Sequence, residues 1–284
     1  MMSARAETIA IHEGPLRLLW RTFAGRIGLV IILFFVAMAL TAPLLAPYDP
    51  LANDWLAVLQ PPSMAHPLGT DELGRDVLSR LLWGAQSPLI AAFGSVAVAL
   101  AVGIPLGMVA GYAGGATDAV ISRLTDTLLA IPGIMLAISL ALFLGGSLFN
   151  ATLAIAVAAI PAFIRLARAR TVQVMAEPYV EAARSVGVRT PRLLFVHVFP
   201  NLVPPIIVQA TLAMAVAVIA EASLSFLGLG RPPPAPSWGS MLTVGKDYIA
   251  TASWLSIWPG LCIFLVTVGF SLLGDGLRQS LDRR

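Results

Sequence analysis

Long apolar runs dominate the chain and recur six times, near residues 26–47, 88–112, 124–146, 149–167, 200–226 and 253–275. A helix needs about 20 mostly apolar residues to cross the hydrocarbon core of a bilayer. The pattern therefore predicts an all-α integral membrane protein with six transmembrane helices. The first run follows a tail carrying Arg5, Arg17, Arg21 and Arg26, and Ala39–Ala42 loosely suits a signal peptidase. The run is longer than the roughly 7–15 residues of a signal-peptide apolar region, so an uncleaved first span is expected.

Composition agrees. Of the 284 residues 58% are hydrophobic and 12% charged, and mean hydropathy is +0.85; a soluble domain is about 25% charged. The slight basic excess is a matter of topology. Arg5, Arg17, Arg21, Arg26, Arg123, Arg165, Arg168, Arg170, Arg184, Arg189, Arg192, Arg278, Arg283 and Arg284 fall on one side of a six-span layout, and Arg75, Arg80, Arg231 and Lys246 on the other. By the positive-inside rule both termini are cytoplasmic, with 48–87 and 227–252 facing outward. The chain then divides into a tail at 1–25, a first span with its outward segment at 26–87, and a five-helix core at 88–284 that carries a cytoplasmic loop at 171–199. No clustered basic face with aromatics points to nucleic acid. Cys262 is the sole cysteine, which excludes an intrachain disulfide, and His12, His66 and His197 have no metal-ligand spacing.

Inside the spans, Ala99, Gly103, Gly107 and Gly111 recur every fourth residue and make a smooth stripe on the second helix. Close helix packing and a contact with a passing substrate both suit that stripe. In the fifth run Gln209 and Glu221 are candidates for a translocation path, since an ionisable group within a span is a functional hypothesis. Glu221 lies late in the run, where a polar anchor near the outer interface is the other reading. Outside, His66 to Arg75 reads as a capped lead-in to a surface helix, with Asp71 and Arg75 paired at i,i+4. Such a pair is worth about 0.2–0.5 kcal/mol when exposed. Residues 231–236 are expected to run as extended polyproline, and Trp238 to sit in an interfacial belt.

The cytoplasmic loop carries the strongest punctuation. Pro178 suits a first helical position and Gly187 the left-handed residue that ends a helix; Thr190 followed by Pro191 repeats the start signal. Tyr179, Val180, Ala183 and Val186 can form one apolar side, and Ala182 and Ala183 keep the middle thin. By spacing alone this short helix suits a partner's groove and a lipid surface equally.

Glu181-Ala182-Ala183, then Gly187 and the Phe199-Pro200 pair, resemble the EAA motif of permease subunits of bacterial ABC importers. The stretches HPLGTDELGRDVLSR at 66–80, HVFPNLVPPIIVQATLAMAVAVIAEASLSFLGLG at 197–230, PSWGSML at 236–242 and LLGDGLRQSLD at 272–282 are similar to the dipeptide/oligopeptide branch, C-type subunit. Phe199 in place of leucine and the Asp282-Arg-Arg ending are small departures. The resemblance implies a type I (MetI-like) transmembrane domain in the bacterial inner membrane. It implies a partner B-type permease, two ATPase subunits that bind ATP and magnesium, and an extracytoplasmic substrate-binding protein. Glu181, Ala182, Ala183, Gly187, Tyr179 and Pro200 would then form the joint with the ATPase. The outward loops would meet the binding protein, or serve only to close the spans rigidly. Peptides are the implied cargo, with nickel complexes, glutathione or another small solute as alternatives.

No catalytic residue, cofactor or metal site is expected in the chain itself. The phosphate loop G-x-x-x-x-G-K-[ST] is missing, and the only lysine is Lys246. An ion-coupled secondary transporter is the competing class and would need coupling groups at midplane, for which only Glu221 is suitable.

Overall fold

The computed structural model describes residues 22–282. The tail with Arg5, Arg17 and Arg21, and the terminal Arg283 and Arg284, lie outside them. The described residues form α1 (Phe23–Leu45), α2 (Val77–Gly84), α3 (Gln86–Ala113), α4 (Gly115–Leu129), α5 (Gly133–Leu144), α6 (Leu148–Met175), α7 (Pro178–Ser185), α8 (Thr190–Phe226), α9 (Trp238–Asp247) and α10 (Trp254–Asp282). Local chemistry sets many of the starts. Thr22, Asp76, Ser147 and Ser237 each accept a hydrogen bond from the backbone N–H three residues on, at 3.2, 2.8, 3.0 and 3.1 Å. Each such cap satisfies an otherwise orphaned donor and contributes about 1 kcal/mol.

Five helical segments are long and apolar enough to span a membrane singly, and the sixth candidate is a pair of helices joined at a sharp bend. The run expected as one helix over 124–146 is instead α4 and α5, bent by 88°. Pro132 lacks an N–H for the ladder and disfavours helical geometry at Ile131 before it. The twelve residues of α5 rise only about 18 Å, well short of the roughly 30 Å hydrocarbon core. Arg123, expected in a loop, is inside α4.

The glycine stripe faces α6. A Cβ at Gly103 would stand 2.7 Å from Phe163 Cβ, one at Gly107 2.5 Å from the Ile164 carbonyl oxygen, and one at Gly111 2.8 Å from that of Arg168. The two backbones thus meet at distances only glycine permits. A similar meeting joins the first and last spans, where Cβ atoms at Gly28 and Gly276 would lie 2.6 Å from Leu273 N and 2.4 Å from Gly25 Cα. Two apolar cores fill the bundle. One gathers Ile32, Phe35, Ala141, Leu224, Trp238 and Phe270; the other gathers Ile104, Phe163, Ala167, Val180, Leu193 and Leu202.

The segments joining the spans at the Trp238 end depart from expectation. Residues 66–75 are turns that lead through the Asp76 cap into a helix, as expected, but that helix is largely buried, with Val77, Ser79, Arg80, Leu81 and Leu82 enclosed, and does not lie on the surface. Asp71 and Arg75 do pair, Nε to Oδ2 at 2.7 Å, but across a turn and buried. Arg80 Nε joins the same oxygen at 3.3 Å and its Nη1 donates to the Pro50 carbonyl at 3.0 Å. His66 Nδ1 lies 3.0 Å from Asp76 Oδ1. Burial, with Asp71 beside it, raises the Glu72 carboxyl above its usual range, partly offset by Arg75 and Arg80. This cluster fastens the 48–76 segment to α2.

Residues 231–236 turn, with a cis Pro233–Pro234 bond, and do not run extended. Trp238 is fully buried and not interfacial: it opens α9, sets its ring edge-on to Phe35 at 5.6 Å, and donates Nε1–H to the Leu81 carbonyl at 3.0 Å. Its one polar atom finds a partner inside the fold, so burying the ring leaves nothing unsatisfied.

Substitutions on both kinds of contact test this packing. Gly107→Leu meets backbone and cannot be absorbed, so it costs about 1–3 kcal/mol and lowers the unfolding temperature of the detergent-solubilised protein by several degrees. Gly133→Ala, whose Cβ meets nothing within 4 Å, leaves that temperature essentially unchanged. Arg75→Met takes from the buried Asp71 the nearer of its two arginines and leaves Glu72 without its partner, at a cost of about 1–3 kcal/mol; Arg75→Met with Glu72→Met, which leaves Asp71 with Arg80, recovers part of that loss, read by the same unfolding curves.

Candidate functional site

The short helix α7 leaves the end of α6 through Ala176 and Glu177. Pro178 is its first residue, where a missing N–H costs nothing. Gly187, at φ 80°, ends it. Gly187 N–H reaches the Arg184 carbonyl at 2.9 Å and Val188 N–H reaches the Ala183 carbonyl at 3.1 Å. This paired arrangement is a Schellman motif, which satisfies two carbonyls that would otherwise hang free.

One side chain roots the helix. Val180 is fully buried in the cluster that holds Phe163, Ala167, Val174, Leu193 and Leu202, with Ala183 partly buried beside it. The expected single apolar side is therefore divided. Val180 and Ala183 face the protein, whereas Tyr179 is 45% and Val186 80% exposed. Tyr179 lies one residue from Val180 and so about 100° round the helix, and Val186 is the cap residue where the chain leaves helical geometry. The outward face is made by Glu181, Ala182, Arg184 and Ser185. The thin point of the exposed face is Ala182, and Ala183 belongs to the inner side.

Polar contacts brace this end. Asn201 Nδ2 donates to Tyr179 Oη at 3.0 Å and to the His197 carbonyl at 2.7 Å. Tyr112 Oη and Thr190 Oγ1 lie 2.8 Å apart and tie the end of α3 to the start of α8. Thr190 is thus not the cap expected of it. Arg189 occupies that position without a side-chain bond, and Thr190 is the first helical residue. The exposed Pro200 follows a wide turn over Leu193–Val198, in which Phe199 N–H reaches back five residues to the Leu194 carbonyl. Proline cannot donate to the ladder, and such π-type turns accommodate the interruption.

Two ion pairs that sequence spacing did not suggest lie between α4 and α6. Arg168 grips Asp118 through two bonds, Nε to Oδ1 and Nη2 to Oδ2, the latter at 2.6 Å, and Ser122 donates to the same aspartate at 3.0 Å. Arg165 Nη2 meets Asp126 Oδ1 at 2.8 Å. Their partners are 50 and 39 residues apart in the chain.

Gln209 and Glu221 are not brought together. They are twelve residues apart on α8, about 18 Å along a helix. Gln209 is half-buried in its middle. Glu221 is fully enclosed by protein near α9, where Oε1 accepts a bond from Ser225 Oγ at 2.7 Å and Oε2 has no partner. It therefore lines no open path in this structure. Among the described residues no group of three or more His, Cys, Asp or Glu is arranged to hold a metal.

Comparison with known proteins places this architecture. Residues 103–284 match the family described as binding-protein-dependent transport system inner membrane component, and residues 14–62 match the N-terminal TM domain of oligopeptide transport permease C. A di/tripeptide transport system permease protein DppC of Pseudomonas aeruginosa is 44% identical over 96% of this chain and 93% of its own. A probable D,D-dipeptide transport system permease protein DdpC of Escherichia coli is 44% identical over 89% and 85%. A glutathione transport system permease protein GsiD of Pectobacterium atrosepticum is 42% identical over 94% and 91%. The fold is shared with the MetNI methionine ABC transporter in an inward-facing conformation: TM-score 0.56, 20% identity, 72% of this chain and 97% of that one. The chain belongs to the family of inner membrane components of binding-protein-dependent transport systems.

Proposed function

We propose that this chain is one half of the translocation pathway of an ATP-driven importer for di- or oligopeptides, and that α7 is its joint with a separate ATPase subunit. The observation that carries the reading is α7 itself. It is a capped eight-residue helix, rooted by Val180 in the membrane-domain core, with a thin outward face at Ala182. Such a helix transmits displacement as a rigid body. It makes no chemistry of its own, and ATP and magnesium belong to the ATPase. A B-type permease completes the pathway, and a binding protein delivers cargo to the opposite end. Peptide cargo is supported by the relatives named for di- and tripeptides, and the glutathione permease fits within the same class, since glutathione is itself a small peptide.

Both termini and α7 are cytoplasmic on this reading, and 48–87 and 227–252 are external. Single cysteines at Ser63, Ser185 and Ala250, each an exposed position, are placed in a Cys262→Ala background. An impermeant thiol reagent on intact cells labels Ser63 and Ala250 positions but not Ser185. Labelling at Ser185 alone reverses the topology.

The joint is tested by three substitutions at matched membrane abundance. Gly187→Val forces a β-branched residue to positive φ, at a local cost of about 1–2 kcal/mol or more, and lowers binding-protein-stimulated ATP hydrolysis at least tenfold. Ala182→Trp overfills the outward face and abolishes co-purification of the ATPase. Ala183→Trp instead disturbs the root beside Val180 and lowers the thermal stability of the isolated chain, which Ala182→Trp does not. Retention of the ATPase and of full transport by Gly187→Val and Ala182→Trp would leave α7 as a topology anchor only.

A further inference from the structure

The helix α4 is held unlike any other long element of the bundle. Of its fifteen residues only Thr125 is buried, and Val120 and Leu124 are exposed. A joint lies at each end. Gly114 and Gly115 both have positive φ, 63° and 52°, with nothing within 4 Å of a Cβ at either. At the other end the chain bends by 88° through Ala130–Pro132 into α5, and Gly133 also has open space about it. Glycines at positive φ with no neighbours permit rotation that a packed, side-chain-bearing residue would block.

Across from α4 the attachment is ionic. Asp118 is gripped by Arg168 and Asp126 by Arg165, and beneath the pairs lies a cleft of about 260 Å³ lined by Ser122, Thr125, Asp126, Ile164, Arg165 and Arg168. The Asp126 and Arg165 side chains are 59% and 63% exposed. The exposed Asp126–Arg165 pair is weak and can part and re-form without a large energetic penalty; Asp118–Arg168, two-bonded and 22% and 39% exposed, parts less easily, and the glycine seam between α3 and α6 has no space to move at all. The neighbouring α5 is fixed, since Ala137 and Ala141 are buried in the same core as Ala151 and Ala154. With twelve residues, α5 alone is too short to cross the bilayer. The arginines that hold it belong to α6, the helix that leads directly into α7.

We propose that α4 is a moving part of the transporter: a two-hinged helix latched to α6 by Asp118–Arg168 and Asp126–Arg165, which is released and re-engaged in each transport cycle. The four residues are positioning residues for transport, and the inference rests on reading the chain as an importer permease.

The test uses the whole transporter, with its partner permease, ATPases and binding protein, reconstituted in vesicles with Cys262→Ala as background. Asp126→Cys with Arg165→Cys is bridged by a short bis-methanethiosulfonate, which converts one latch into a covalent tie. Bridging lowers ATP-driven uptake of radiolabelled glycyl-leucine, and binding-protein-stimulated ATP hydrolysis, at least tenfold; reductant restores both, and the single-cysteine variants are indifferent to the reagent. A bridged transporter that works at the unbridged rate overturns the proposal, because a static clamp is unaffected by a tie. Separately, Asp118→Arg or Arg168→Asp alone lowers uptake at least fivefold at matched abundance, and the exchanged pair recovers at least half of the loss. An exchange that recovers nothing counts against the latch. Hydrolysis is read in the same vesicles as uptake, so a transporter that hydrolyses ATP on binding-protein addition but ignores glycyl-leucine excludes that dipeptide as cargo and leaves the latch to be judged by hydrolysis.

Discussion

The absence of side chains at Gly103, Gly107 and Gly111 lets the backbone of α3 lie directly on that of α6, and most of the structure depends on that contact. In lipid, apolar surface gives no reason for helices to associate, since the tails are as apolar as leucine; close van der Waals packing must do it. A Cβ at Gly107 would stand 2.5 Å from a carbonyl oxygen and 2.6 Å from Ala167 Cβ, so the seam admits no looser arrangement. The residues it fixes on α6, from Phe163 to Val174, are the floor into which Val180 of α7 is set. The short helix inherits its rigidity from a contact made within the spans.

The same charge chemistry does two different things at the two ends. Near Trp238, Asp71, Arg75 and Arg80 are buried and interlinked, so a charge that loses a partner there has little water to replace it. Near α7, Asp126 and Arg165 are largely in contact with solvent, so parting them replaces one set of polar partners with another. Burial decides whether an arginine-aspartate pair is a fastener or a latch.

Much was legible in the chain because it is local. Span positions follow from composition over about 20 residues, and the ends of α7 from Pro178 and Gly187, whose backbone preferences need no tertiary partner. Other positions misled for an identifiable reason. The apolar run at 124–146 hides a break because hydrophobicity does not register that Pro132 cannot continue the ladder, although the proline itself was a visible signal. Asp71 and Arg75 have helical spacing but pair across a turn, since Gly74 at φ 73° bends the chain between them. Trp238 has an interfacial composition, and is buried because Leu81, 157 residues away, accepts its N–H.

By itself the sequence determined an all-helical membrane chain, the periodic glycine stripe, and a short helix with an EAA core that Pro178 opens and Gly187 ends. Each of these depends on residues within a turn or two, or on the solvent the chain must match. Only the tertiary structure decided which way each face points. It turned Ala182 outward and Ala183 inward, enclosed Glu221 away from any open path, and brought Asp118 and Asp126 to arginines 50 and 39 residues along. Orientation about a helix axis is set by what packs against it, and one residue is a rotation of about 100°. A partner that arrives from a distant part of the chain leaves no periodic trace near the residue it meets.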